Sequence, residues 1–187
     1  MTHIAPVAPE AIHDSTVKAL VERAETLGVP GASFALVLAR MPTYAKAVLE
    51  AMLRSHFDGA VDHELKEIIR ILLARRAGSR YFTSLRSVAA MQAGLDEGAI
   101  SAGCDDYERN PRFSTKQKLA LRYADQMYLN PGSVDAAFYA ELKQHYSEAE
   151  IMELGAFIAL HYGMQVFMRT LETPAAPGES RQQPTRT

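Results

Sequence analysis

No segment of this chain alternates apolar and polar residues at period two over the length of a strand, and that absence constrains the fold most. Apolar residues recur instead every three or four positions, the spacing that lines one face of a helix. Val17, Leu20, Val21, Ala24 and Leu27 form the first such stripe, with Asp14 or Ser15 as N-cap and Gly28 as stop. A short helix is expected over 32–40, and Pro42 ends it and opens a third over 42–57 with Tyr44, Val48 and Met52 on one face. The fourth, over 62–78, carries Leu65, Ile68, Ile69, Leu72 and Leu73. Ile71 and Ala74 lie on its other side, so it is expected to be buried on two faces.

A fifth helix is predicted over 80–93, closed by Gly94, and a short sixth over 96–102. Residues 104–112 read as a loop. Ser114-Thr115-Lys116-Gln117 and Ser147-Glu148-Ala149-Glu150 are capping boxes, each opening a helix, with a further helix over 133–146 between them. The last helix runs to about 171. Beyond Thr173, three prolines with Gly, Ser, Gln and Arg read as a disordered tail. The expectation is an all-α fold of eight or nine helices in a single domain over 1–172, with the tail at 173–187.

Bulk properties remove several function classes. The formal net charge is −2, with no basic run of motif length, so nucleic acid and anionic membranes are not expected partners. The one cysteine, Cys104, precludes an internal disulfide and fits a reducing cytosol. No charged-then-apolar leader and no apolar run of about 20 residues is evident, so a cytoplasmic protein is expected. There is no His-Glu-x-x-His, cysteine cluster, phosphate loop or Gly-x-Ser-x-Gly elbow. His63 and Glu67, four apart, are the one pair with metal-ligand spacing, and His63 near a helix start reads as exposed. Neither metal nor organic cofactor is expected.

The run Val61-Asp62-His63-Glu64-Leu65-Lys66-Glu67-Ile68-Ile69-Arg70, then Ala77-Gly78-Ser79-Arg80-Tyr81, then Ala93-Gly94-Leu95, resembles the core of the carboxymuconolactone decarboxylase / alkylhydroperoxidase D-like superfamily. Phe113-Ser114 through Ala124-Asp125, and Glu153-Leu154 with Phe167, continue the resemblance, which covers about 6–172. It implies an all-helical fold that assembles as dimers, trimers or hexamers. The redox branch uses a Glu, a Cys-x-x-Cys pair twelve residues on, and a His four residues after the second Cys. By position the Glu is Glu67, the cysteines are replaced by Ser79 and Phe82, and the His by Arg86. Tyr81 stands where redox members often carry a His or an aromatic residue. In the last helix many relatives carry Tyr-Asn-x-x-Asn-Arg-Phe. Here the run is His161-Tyr162-Gly163-Met164-Gln165-Val166-Phe167, and only the Phe is kept.

Phe82 cannot attack peroxide and Ser79 cannot form a disulfide, so thiol peroxidase chemistry of the usual kind is not expected. If the Gly78 connection folds two helices together, Glu67 approaches Arg86, from the stripe Ser79, Phe82, Arg86 on the next helix. The resulting expectation is a cofactor-free acid–base enzyme of decarboxylase, lyase or isomerase type acting on a small organic acid or lactone. Glu67 would move the proton with Tyr81 and His161 in support, while Arg86, Ser79 and Phe82 bind the substrate. Two alternatives stand beside it: a non-catalytic homo-oligomeric binding protein, and a divergent alkylhydroperoxidase- or peroxiredoxin-like oxidoreductase that uses Cys104. Against all of these stands the plain structural reading, in which Glu67 and Arg86 form an ion pair that holds two helices and no ligand binds.

Overall fold

The computed structural model describes residues 2–172, and the predicted tail at 173–187 lies outside them. The described residues form ten α-helices with two 3-10 turns and no strand. The helices are α1 (Ser15–Thr26), α2 (Ala32–Leu38), α3 (Pro42–Phe57), α4 (His63–Arg76), α5 (Arg80–Ser84), α6 (Val88–Ala93), α7 (Glu97–Asp105), α8 (Thr115–Leu129), α9 (Ala136–His145) and α10 (Glu148–Thr170). Both capping boxes are present, and Asp14, Asp62, Ser79, Ser87, Asp96 and Asp135 cap their own helices with side-chain oxygens.

The centre of the fold is α4, where ten successive residues, Leu65 to Ala74, are buried. It packs against α3, α5, α6, α7, α8 and α10. One apolar cluster joins α4 to α7–α10, through residues such as Ile68, Leu72, Leu119 and Phe157. A second joins α1, α2 and α3 to Phe82, Leu85 and Met168. A helix buried all round cannot keep its charged residues in water. Lys66, Glu67 and Arg70 are each at most 1% exposed and must therefore find partners inside.

Several sequence expectations are corrected. The helix expected over 80–93 is two helices, α5 and α6, separated by extended backbone at Leu85 and Ser87. The cause is long-range: the Leu85 carbonyl accepts from Arg70 and the Ser87 amide donates to Glu67, so neither serves a continuous helix. Helix α7 runs on to Asp105, which puts Cys104 in a helix rather than a loop. A 3-10 turn, Pro131–Ser133, precedes α9, because Asp135 caps it. Tyr44 is 51% exposed although Val48 and Met52 on the same helix are buried. Helix α10 spans 23 residues and is apolar enough by composition to cross a membrane, contrary to the expectation that no run is so long. One side of it, including Ile151, Leu154, Phe157 and Ile158, is buried in the core.

The break between α5 and α6 is braced from α1. The Val88 amide donates to Leu27 O, and Gly28, at φ +76°, lies beneath the Arg86 carbonyl. A Cβ at Gly28 would sit 2.3 Å from that oxygen. Gly28→Ala is expected to destabilise the protein by about 1–3 kcal/mol through strain and displacement of the 85–87 segment, read as a lower urea midpoint at unchanged slope.

Candidate functional site

Glu67 is fully buried and both its oxygens are occupied. Oε2 accepts from Arg70 Nε at 2.7 Å, and Oε1 accepts from Arg70 Nη2 and from the Ser87 amide, both at 2.8 Å. The spacing i, i+3 on α4 lets the two side chains meet as a bidentate pair. Arg70 then reaches further, donating through Nη1 to Phe82 O and through Nη2 to Leu85 O, each at 2.8 Å. Burial acts to raise the Glu67 pKa. The Arg70 charge and hydrogen bonds overcome it and hold the carboxyl well below the usual range, as an anion.

Three histidines surround this pair. His56, at the end of α3, places Nε2 3.3 Å from Glu67 Oε2, close in charge terms but not aligned as a hydrogen bond. Its burial pushes its pKa down to about 4, so it is neutral near pH 7. His161 is also buried, and burial followed by the neighbouring His56 and Arg70 holds it well below its ordinary value. Its Nε2 lies 3.2 Å from Ser55 Oγ, while its Nδ1 and the nearby Gln165 Oε1 are buried without a hydrogen-bond partner.

His63 is partly exposed, with the Phe57 ring stacked on it. Its Nδ1 is 3.0 Å from the His56 carbonyl, which can only accept, so the proton sits on Nδ1. In the neutral ring Nε2 then accepts from Ser87 Oγ at 2.8 Å. A hydroxyl, a base and a group that fixes the base's tautomer therefore stand in line.

The residues expected at the site are distributed differently. Glu67 and His161 come together through His56, whose ring centroid is 5.7 Å from that of His161. Arg86 does not join them: it pairs with Glu97 at 2.7 and 2.9 Å and donates to Thr83 O and Leu85 O. The expected Glu67–Arg86 approach is thus corrected, because Arg70, three residues away on the same helix, takes the carboxylate first. Ser79, Phe82 and Arg86 do not share one helical face, since α5 ends at Ser84. Ser79 Oγ caps α5 by accepting from the Phe82 amide. Phe82 is fully buried edge-on to Phe34. The Tyr81 hydroxyl donates to Pro30 O and accepts from the Phe34 amide. Sequence reasoning missed His56, Arg70 and Ser87, and weighed His63 as a metal partner of Glu67 before reading it as an exposed helix-start residue. The available signals were the i, i+3 spacing of Glu67 and Arg70 and the two histidines flanking the Gly59 turn.

Cys104 is buried, and burial pushes its thiol pKa up to about 11, so at neutral pH it is a thiol and not a thiolate. Among the described residues no three His, Cys, Asp or Glu side chains converge in metal-binding geometry.

Two outcomes follow from the buried pair. Arg70→Met leaves an unpaired buried carboxylate and should cost about 3–5 kcal/mol. Glu67→Gln should cost less, since the amide oxygen still accepts from Ser87. Chemical denaturation of both variants measures the difference. The histidines set an acid limit. His56 has a folded pKa below its ordinary 6.5, so the unfolded chain takes up the proton first as pH falls. Its contribution is complete above about pH 6.5 and is lost towards pH 4, where Glu67 adds a loss of the same sign. Melting temperature should therefore fall steeply between pH 6.5 and 4, and His56→Phe should flatten that fall.

No family model matches the chain. It is similar to the uncharacterized protein YnjA of Escherichia coli, 33% identical over 70 residues, covering 37% of this chain and 38% of that protein. It is 28% identical over 95 residues to an uncharacterized protein of Mycobacterium tuberculosis, covering 51% of this chain and 33% of that one. The match thus spans little more than a third of the length of these relatives. Among solved structures, the debrominase Bmp8 superposes with a TM-score of 0.80 at 19% identity, over 96% of this chain and 95% of that one. A cysteine-to-alanine variant of Bmp8 in complex with 2,3,4-tribromopyrrole gives the same score. An uncharacterized peroxidase-related protein of Silicibacter superposes at 0.77 with 13% identity, over 96% of both chains. An alkylhydroperoxidase AhpD core protein of Ralstonia eutropha does so at 0.76 with 16% identity, again over 96% of both. This chain has the all-α AhpD-like fold.

Proposed function

We propose that this chain is a non-catalytic, small-molecule-binding member of the AhpD-like fold, in which the polar centre around Glu67 holds the helices in place. The observation that carries this reading is the engagement of Glu67. A general base needs a pKa near the working pH. Both Glu67 oxygens accept from Arg70 or Ser87, and the Arg70 charge and hydrogen bonds hold its pKa well below the usual range. Arg86, the expected anion grip, is committed to Glu97. The tribromopyrrole complex of Bmp8 supports the view that this fold can hold a small molecule. An assembly of several copies is part of the proposal, consistent with the apolar side chains of Met152, Val166 and Phe167 exposed on α10.

One observation favours a second reading, a cofactor-free acid–base enzyme acting on a small organic acid or lactone. Ser87 and His63 form a hydroxyl–imidazole pair with a fixed tautomer, and His63 reaches the surface. In that reading the proton-moving group is His63 and not Glu67. A divergent thiol peroxidase using Cys104 gains no support, since its thiol is buried and protonated.

A thermal-shift screen against small amines, carboxylates, lactones and hydroperoxides, followed by product detection, separates these readings. The binding reading expects a ligand that raises the melting temperature and is recovered unchanged. Product formation that is lost in a folded His63→Gln variant would replace it with the enzyme reading. Cys104→Ser is expected to leave any peroxide consumption unchanged.

A further inference from the structure

Away from the Glu67 centre, a cavity of about 350 Å³ opens between the loop entering α4 and the first turns of α8 and α10. Its floor is apolar, with Val61 and Leu65, and one wall is the ring of Tyr146. Asp62, Lys116 and Glu150 also line it, which gives the lining two carboxylates and one ammonium. The Lys116 ammonium sits 4.4 Å from the Tyr146 ring centroid and 3.0 Å from Glu150 Oε1. That is the environment that binds an alkylammonium ion: an aromatic face beneath the charge and a carboxylate beside it.

The parts differ in how firmly they are held. Tyr146 is 4% exposed, and its hydroxyl donates to the Lys116 carbonyl at 2.8 Å. Glu150 Oε2 is fixed by the Ser147 amide and hydroxyl in the α10 capping box. Burial raises the Tyr146 pKa, and the charges of Glu150 and Asp62 raise it further. The Lys116 side chain, by contrast, is 46% exposed and can turn out to water without breaking any of these contacts except its own. The receptor is built, and its present occupant is a tethered side chain.

We propose that this cleft binds a small primary alkylammonium ion, which takes the place of the Lys116 ammonium between Tyr146 and Glu150. The inference rests on the binding reading above and supplies its ligand class. Nothing in it involves Glu67 or the histidines.

The test is calorimetric titration of the full chain with n-butylammonium, which reproduces the lysine side chain, and with n-butanol as the uncharged control. The wild type is expected to bind the cation and not the alcohol. Removing the competing occupant raises the competent fraction, so Lys116→Ala should bind about tenfold more tightly. Adding Glu150→Gln, which keeps the capping box, should abolish that gain, as should Tyr146→Leu. The inference is overturned if the wild type shows no saturable binding, if butanol binds equally, or if Lys116→Ala binds no more tightly. Turnover of some substrate at His63 would overturn the binding reading instead, and would not alter the titration.

Discussion

The Glu67–Arg70 ion pair is the interaction on which the rest of the centre depends. It lies on a helix with no solvent-facing side over ten residues, so both charges have lost their water. The Coulomb attraction of a buried pair seldom repays that desolvation alone. Here further donors and acceptors of both side chains are also used. Arg70 closes on the Phe82 and Leu85 carbonyls, which a continuous helix would not leave free, and Glu67 closes on the Ser87 amide. The pair therefore specifies where α5 stops and α6 begins, and satisfies the backbone groups that the interruption exposes.

This arrangement accounts for how the fold persists without a cysteine pair. Ser79 and Phe82 contribute structure: the first caps α5 and the second fills the apolar cluster beneath α1 and α2. Neither function requires sulfur. Nor does the charged centre require a substrate, since its carboxylate, guanidinium and backbone partners complete one another. Four buried polar atoms are left without a hydrogen bond among the described residues: both ring nitrogens of His56 on α3, and His161 Nδ1 and Gln165 Oε1 on α10. Unsatisfied buried groups of this kind mark where the packing is least complete.

The helices were legible because their signals are local. Capping boxes at Ser114 and Ser147, the N-caps at Asp14 and Asp62 and the left-handed glycine at Gly94 act within a few residues of the sequence positions that announce them. The fold class followed from the same pattern, and the family resemblance from particular runs such as Val61 to Arg70. The break at Leu85 was not legible, because its cause is a guanidinium fifteen residues earlier whose reach depends on how α4 packs. The site failed for the same reason. Spacing on two imagined helices brought Glu67 to Arg86, while the closer partner, Arg70, was counted only as part of the resemblance. His56 and His63 approach each other across a turn, at a ring separation of 4.8 Å that no periodicity encodes.

A second buried charge shows how generally the fold uses this device. Lys66, one position before Glu67, is 1% exposed and spends its three protons on Ser55 O, Asp58 O and Glu153 Oε1. Glu153 in turn accepts from the Ala60 and Val61 amides. Lysine thus closes the open carbonyl end of α3, where a cation also complements the helix dipole, while α10 closes the turn that follows. The loop 58–61 is fixed from both sides, and it is the loop that carries Ala60 and Val61 into the wall of the Tyr146 cleft. Adjacent residues of α4 therefore serve the two regions separately: Glu67 orders the Ser87 side of the core, and Lys66 orders the rim of the cavity. A ligand in the cleft would meet a wall held by charges that are already paired, so its own charge would be answered by the carboxylates of Glu150 and Asp62 and by the Tyr146 ring.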